Sequence, residues 1–334
     1  MTVLLEKRRL IVSPGLAPAQ LREEDKFGRP QHADVDLRIG LVNNMPDAAL
    51  QATERQFMRL LRQAAGDLRI DFHCFSLPSV HRSLTAQRHV GRQYTDIDDL
   101  DRLAIDGLIV TGAEPNAAKL SEEPFWKDLA VIVDWAEANT RSTIFSCLAA
   151  HAAVRHLDGI ERQRLAAKRS GIFDCVKVTP NWLTEGLPSP LRIPHSRLNE
   201  LRASDLVAGG YHLLTQSSEA GVDIFVKKLR SQFVFFQGHP EYDALSLQRE
   251  YLRDISRYLA SERDGYPTIP VDYFDGETEG RLARFQERAR HARNPVLARE
   301  LPPLVLRGDT GAADAAAGIF RNWLGYLSAG AHAI

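Results

Sequence analysis

Of the three thiols in the chain, Cys147 stands where a nucleophile would be delivered. The run Ser142-Thr143-Ile144-Phe145-Ser146-Cys147-Leu148-Ala149-Ala150-His151-Ala152-Ala153-Val154 reads as a buried strand, a sharp turn and an alanine-rich helix, with the cysteine at the turn. A residue there is lifted above the strand ends. The free amides and positive dipole end of the following helix favour a thiolate and can later stabilise an oxyanion. Small residues at Ser146, Ala149 and Ala150 permit the close strand-to-helix packing that such an elbow needs. A free cysteine in an apolar run is equally the small hydrophobe of a packed core, and spacing alone leaves both readings open. Cys74 alternates inside a strand-like run, and Cys175 follows Asp174 with no helix start behind it, so both read as packed residues.

A thiol nucleophile needs a base, and Phe235-Phe236-Gln237-Gly238-His239-Pro240-Glu241-Tyr242-Asp243 offers one at the end of an apolar strand. Glu241 lies two residues after His239, so extended geometry returns it to the same side, where it can orient the imidazole. Gly238 and Pro240 bracket the histidine in an unusual turn. Singly, a Gly-His-Pro turn serves structure as readily as function, and a lone glutamate is usually solvated. Beside a cysteine elbow the pair becomes specific. The other histidines lack this context: His73 and His212 fall in strands, His81 and His89 in a polar loop, His156 in the alanine-rich helix, and His32, His291 and His332 near termini or tail helices.

These residues must be presented by a sheet. From Leu37 onward, short β-rich runs alternate with amphipathic helical segments, the pattern of an α/β fold with a mostly parallel sheet. Strands are predicted at Leu37–Val42, Leu68–Phe75, Ile105–Val110 and Ser142–Phe145, separated by helices near 48–64 and 122–139. The segments 171–178, 211–217, 222–228 and 232–236 come at hairpin spacing and predict antiparallel strands added to that sheet. A helix at 245–259 closes the core. Residues 1–34 read as an N-terminal arm, 35–261 as the catalytic domain, and 262–334 as a C-terminal extension ending in an apolar helix that packs back.

Composition narrows the function classes. The 42 lysines and arginines nearly cancel the 43 aspartates and glutamates, with no long block of one sign, so a polyanionic partner such as nucleic acid or an anionic membrane is not expected. Few cysteines without metal-ligand spacing suggest a reducing compartment and no metal. No apolar stretch approaches the roughly 18 residues of a membrane span, so a soluble cytoplasmic protein is expected. The glycines at 112 and 209–210 lack phosphate-loop spacing, and no resident cofactor is expected.

Across residues 36–327 the chain resembles the homoserine O-succinyltransferase family. The likeness is carried by Asn43-Asn44-Met45-Pro46, Asp106-Gly107-Leu108-Ile109-Val110-Thr111-Gly112-Ala113, the Cys147 elbow, Lys168, Pro194-His195-Ser196-Arg197, Gly238-His239-Pro240-Glu241-Tyr242-Asp243, Glu250-Tyr251 with Arg253-Asp254, and Asn322-Trp323-Leu324. The resemblance implies a flavodoxin-like three-layer sandwich of the class I glutamine amidotransferase type. It implies that Cys147 takes an acyl group from acyl-CoA, a co-substrate, as a thioester that the hydroxyl of homoserine then attacks in ping-pong order. His239 would serve as base, Glu241 would hold its tautomer, and N–H groups near Leu148 would donate to the oxyanion. Lys168, Ser196 and Arg253 match positions that contact the amino acid, and a homodimer is the family expectation.

The departures are local. Leu148 and His151 stand where the family places tryptophan and glutamine, and Asp47 follows Met-Pro where lysine is common. Asn116 occupies the position that helps choose the acyl group. A glutamate there would repel a succinyl carboxylate, whereas a neutral asparagine can donate a hydrogen bond to it, which favours succinyl over acetyl. Three other readings stay open at this point: serine or another hydroxy amino acid as acceptor, a glutaminase-type amidotransferase, and a noncatalytic relative.

Overall fold

The computed structural model of the chain describes residues 35–329 except 114, 116, 118 and 309, together with the backbone of 2–6 and 9–13. Its strands run β1 Thr2–Glu6, β2 Arg9–Ser13, β3 Leu37–Val42, β4 Ile70–Phe75, β5 Gly107–Thr111, β6 Ser142–Ser146, β7 Gln163–Lys177, β8 Leu191–Glu200, β9 His212–Leu213, β10 Thr215–Ser217, β11 Gly221–Val222, β12 Ile224–Lys228 and β13 Gln232–Phe236. The helices are α1 Asp47–Ala64, α2 Leu84–Gln93, α3 Trp126–Asn139, α4 Leu148–Asp158, α5 Ala203–Ala208, α6 Ser246–Leu259, α7 Gly276–His291 and α8 Ala312–Ala329.

Among the described residues, the central sheet has the order β2-β1-β4-β3-β5-β6-β13-β12-β9. Its five middle strands, β4-β3-β5-β6-β13, are parallel. Both faces of these strands are covered, which is why β5 and β13 are near-continuous apolar runs, whereas β3 carries Arg38 and β4 alternates through Asp71 and His73. Successive residues of β13 divide between two cores: Val234 and Phe236 pack with α1 and α8, whereas Phe233 and Phe235 pack with α3 and α4. The result is a three-layer α/β sandwich.

The predicted strands of the parallel core are present, but the later segments distribute differently. The 232–236 strand is parallel to β6, because it enters the sheet from the same end. The 171–178 segment belongs instead to a second, four-stranded antiparallel sheet, β11-β10-β7-β8. Its partner β8 is interrupted by Pro194 and carries no alternating pattern, so the pairing shows only in three dimensions. Helices α2 and α7 are not among the predicted elements. His89 lies on α2 rather than in a loop, and α7 crosses the charged stretch after 262, capped by Asp275 Oδ1 accepting from Thr278 N at 2.7 Å.

Of the predicted arm, residues 1, 7, 8 and 14–34 lie outside the described residues; the backbone of β1 and β2 forms a hairpin antiparallel to β4. Residues 330–334 also lie outside them. The extension at 262–329 contributes to two cores. Leu282 and Phe285 of α7 pack with Tyr251 and Ile255 of α6, and α8 lies against α1, with Phe57 and Phe320 rings 6.2 Å apart. Trp323 is fully buried, and its indole Nε1 donates to Ser142 Oγ at 3.0 Å. Trp323→Ala should therefore cost about 3–5 kcal/mol of unfolding free energy, measured by denaturant titration, because it opens a cavity and removes the indole donor to Ser142 Oγ. No helix among the described residues is long and apolar enough to cross a membrane.

Candidate active site

The parallel strands deliver their following loops to one edge, the usual ligand-binding edge of such sheets. Asn43-Asn44-Met45 follows β3, Thr111-Gly112 follows β5, Cys147 follows β6 and Gln237-Gly238-His239 follows β13. The first loop is tied down by Arg82, a buried residue whose guanidinium donates to the carbonyls of Asn43 (2.9 Å) and Met45 (2.7 Å). Arg82 also pairs with Asp47 at 3.4 Å. A cation just before α2 thus stands beside position 47, with Asp47 as its partner.

Cys147 has φ 51° and ψ −108°, a conformation that a side-chain-bearing residue adopts only under constraint. The constraint is visible on both sides. Its N–H donates to Phe236 O at 2.8 Å, and its carbonyl accepts from His151 N at 3.2 Å as α4 begins. Gly112 closes the elbow from the neighbouring loop: a Cβ on it would lie 2.5 Å from Leu148 Cβ. No side chain caps the first turn of α4, which leaves its N–H groups, that of Leu148 first, facing the site. Cys147 is partly exposed, whereas Cys74 and Cys175 are buried. Burial, and then nearby carboxylates, push both of those thiols upward, which makes them poor nucleophiles.

His239 is 6% exposed, and its Nδ1 lies 2.8 Å from Glu241 Oε1. The carboxylate reaches the ring through a turn, closed by Tyr242 N donating to His239 O at 3.1 Å, rather than through the extended spacing expected from sequence. Pro240 makes that turn. Nδ1–H donating to Glu241 leaves Nε2 free to face sulfur. Burial works to discharge the imidazole, but the charges of Cys147 and Glu241 outweigh it and hold its pKa well above the ordinary histidine value. Glu241 Oε1 also accepts from Ser146 Oγ at 3.4 Å, and its buried Oε2 has no hydrogen-bond partner among the described residues. The predicted nucleophile, base and orienting acid are therefore brought together.

Beside them lies a second polar group. Tyr242 stacks on the His239 ring with centroids 4.3 Å apart and donates its hydroxyl to Glu250 Oε1 at 2.5 Å. Glu250 Oε2 accepts from Ser196 Oγ and from Lys168 Nζ (3.2 Å), and Lys168 also pairs with Asp254 at 2.8 Å. Burial alone would raise the Glu250 carboxyl; Lys168, then the Ser196 and Tyr242 hydroxyls, outweigh it and bring it down to about 2. Lys168 is placed by an irregularity in the β7–β8 pairing between Arg164 and Arg169, and Ser196 lies on β8 rather than in a turn. Arg253 sits at the exposed rim on α6, its guanidinium 3.6 Å from Asp254. Asn116 lies outside the described residues. His151 is a buried neutral residue; burial, and then Arg197, push it down to about 3, and it pairs with Gln237 Oε1 at 3.1 Å.

Three participants are not evident from single residues. Glu250 and Tyr242 fall inside recognisable motifs but gain a role only through contacts distant in sequence. Arg162, just before β7, is half-buried; burial weakens its hold on its proton, while Glu123 and then Cys147 strengthen it, so its charge is felt at the sulfur. Among the described residues one cluster has metal-ligating types: Cys175, His195 and Asp223. Arg197 Nε donates to His195 Nδ1 at 3.4 Å, however, so the proton of the neutral ring sits on Nε2, the nitrogen that faces Cys175 and Asp223. That nitrogen is a donor rather than a free ligand.

A family model described as homoserine O-succinyltransferase matches residues 25–300. The chain is 60% identical over 331 residues to a homoserine O-succinyltransferase of Bradyrhizobium japonicum, covering 99% of this chain and 100% of that one. It is 56% identical over 326 residues to that of Rhodopseudomonas palustris, covering 97% and 98%. Among solved structures, a glutamine amidotransferase from Thermotoga maritima superposes with a TM-score of 0.50 at 12% identity, covering 88% of this chain and 98% of that one, a likeness of fold.

Proposed function

The chain belongs to the homoserine O-succinyltransferase family, and from that premise we propose that it moves a succinyl group from succinyl-CoA to the hydroxyl of L-homoserine through a thioester on Cys147, a step of methionine biosynthesis. The observation that carries the mechanism is the Cys147 elbow beside a histidine whose Nδ1 is engaged 2.8 Å from a buried carboxylate. Cys147 as thiolate adds to the thioester carbonyl of the donor. The oxyanion forms at the uncapped N–H groups of α4, the CoA sulfur leaves, and His239 supplies its proton. His239, again neutral, takes the proton of the homoserine hydroxyl as that oxygen attacks the enzyme thioester, and Cys147 is regenerated.

The polar group around Glu250 suits a zwitterionic acceptor. An ionised Glu250 is complementary to an ammonium group, while Lys168 and Arg253 are complementary to a carboxylate. Ser196 joins the two sides. Intact-mass measurement after mixing with succinyl-CoA should give an adduct of one succinyl group on Cys147, discharged by homoserine and not by serine. Glutamate release from glutamine without release of free CoA would instead identify a glutaminase.

Donor choice is assigned to charge near the sulfur. A succinyl chain on Cys147 brings its carboxylate into the field of Arg162. Arg162→Met should lower kcat/KM for succinyl-CoA about 10-fold or more while leaving acetyl-CoA little affected, the loss expected when a charge-assisted contact of about 1.5–3 kcal/mol is removed. Parallel assays with the two donors read the ratio. An equal fall for both donors would assign Arg162 to the sulfur itself.

A further inference from the structure

We propose that Asp223 and His195 are positioning residues for the catalytic histidine: the Asp223 carboxylate holds the Gly238 N–H, and with it the peptide that aims His239 at Cys147. This rests on His239 being the base of the proposed reaction. All of the groups involved are buried. Asp223 and His195 are each 0% exposed, in a region where an ionisable side chain is costly unless every lone pair is used. Asp223 uses them: Oδ2 accepts from Thr215 Oγ1 at 2.9 Å, and Oδ1 accepts from Gly238 N at 3.2 Å and faces His195 Nε2 at 3.4 Å.

The tautomer of His195 is set from the other side. Arg197 can only donate, and its Nε–H occupies His195 Nδ1, so the ring proton is on Nε2, which lies between Asp223 Oδ1 at 3.4 Å and Cys175 Sγ at 3.9 Å. Arg197 is itself fixed by donating to the carbonyls of Asn199 and Ala220. Burial, followed by the charges of Arg197 and His239, keeps His195 neutral. A neutral ring here presents no like charge to the His239 imidazolium.

The segment from Gln237 to His239 is gripped from two sides, by Asp223 between β11 and β12 and by Pro194 on β8. Gln237 N donates to Asp223 O at 2.9 Å, Gly238 N donates to the Asp223 carboxylate, and His239 N donates to Pro194 O at 2.7 Å, one residue before His195. Contact is so close that a Cβ on Gly238 would lie 2.6 Å from Asp223 Oδ1 and 3.0 Å from His195 Nε2. Neither Asp223 nor His195 approaches the reacting atoms; each acts through the backbone that carries His239. A displacement of about 1 Å in such a group is enough to cost about 100-fold in rate.

The test compares Asp223→Leu, Asp223→Asn and Thr215→Val with the unaltered enzyme, each checked for folding by circular dichroism and thermal melting. Two rates are measured: turnover of succinyl-CoA with homoserine, and alkylation of Cys147 by iodoacetamide, which reads the histidine-supported thiolate without either substrate. Asp223→Leu should lose about 100-fold in kcat with KM unchanged, and a parallel loss should appear in alkylation. Asp223→Asn keeps an acceptor for Gly238 and should lose only about fivefold, as should Thr215→Val, each weakening one hydrogen bond. A folded Asp223→Leu enzyme with undiminished kcat and alkylation overturns the proposal, as does an asparagine variant as impaired as the leucine one. If the leucine variant does not fold, Thr215→Val decides, and unchanged rates there overturn it. Absence of turnover in the unaltered enzyme would count against the proposed reaction, while the alkylation series would still judge the positioning.

Discussion

Cys147→Ala is expected to abolish thioester formation and to lower kcat by at least about 10⁴-fold, the scale on which removal of a nucleophile is felt when the rest of a site stays intact. In the proposed mechanism both half-reactions run through the sulfur, so neither CoA release in the absence of homoserine nor the acyl adduct should remain. Alanine is tolerated at the elbow because the turn is held by backbone contacts, Cys147 N to Phe236 O and Gly112 against Leu148, which the substitution leaves in place. The fold should survive. An adduct of the same mass on the alanine variant would move the nucleophile elsewhere, and Cys74 and Cys175, both buried, are poor replacements.

Glu241→Gln should lower kcat by about 10²–10⁴-fold while leaving KM near its original value, by analogy with the loss seen when a triad carboxylate becomes an amide. The carboxylate acts on His239 in two ways. Its charge, together with that of Cys147, overcomes the burial that would otherwise discharge the ring, and its Oε1 accepts the Nδ1 proton at 2.8 Å. A neutral amide removes the first effect. If its NH₂ turns toward the ring, it also forces the proton onto Nε2, where the base must be empty.

The sign of the pH effect follows. In the unaltered enzyme the imidazolium persists above the ordinary histidine range. Without the Glu241 charge the histidine pKa falls, so the imidazolium is lost at lower pH and alkylation of Cys147 at neutral pH should be slower than in the unaltered enzyme. Iodoacetamide rates across pH test this directly. An alkylation profile identical to that of the unaltered enzyme would show that Glu241 orients the ring without charging the pair.

The strands Leu37–Val42 and Gln232–Phe236 are legible in sequence to the residue, because each is a short run in which Arg38 or Gln232 is the lone polar residue. The elbow at Cys147 is legible for a related reason: a strand, a turn and a run of alanines leave little else to build. Polar elements are not. Among the α2 residues, only Ala86 is buried, so the helix has almost no apolar stripe, and α7 is masked by its charges. The same limit applies to Lys168 and Ser196. Each looks unremarkable alone and acquires meaning only from Glu250, 82 residues beyond the first and 54 beyond the second.

Asp223 and His195 show a different limit. The Pro194-His195-Ser196-Arg197 motif is visible, yet nothing local says that its histidine faces the carboxylate of Asp223, at the junction of β11 and β12. The tertiary fold brings that junction to β8. Register is a tertiary property, and neither propensity nor short spacing records it.

The strand that presents the nucleophile is sealed late in the chain. Ser142 begins β6, and the indole that donates to its hydroxyl is Trp323, 181 residues further on; Arg141, just before it, donates to Leu327 O. A ribosome would therefore release the elbow sequence well before its supporting helix exists. During that interval β6 would lack one of its layers, with an apolar face open to chaperones or to aggregation. The contact that stabilises the finished enzyme thus makes its biogenesis depend on the order and timing of synthesis.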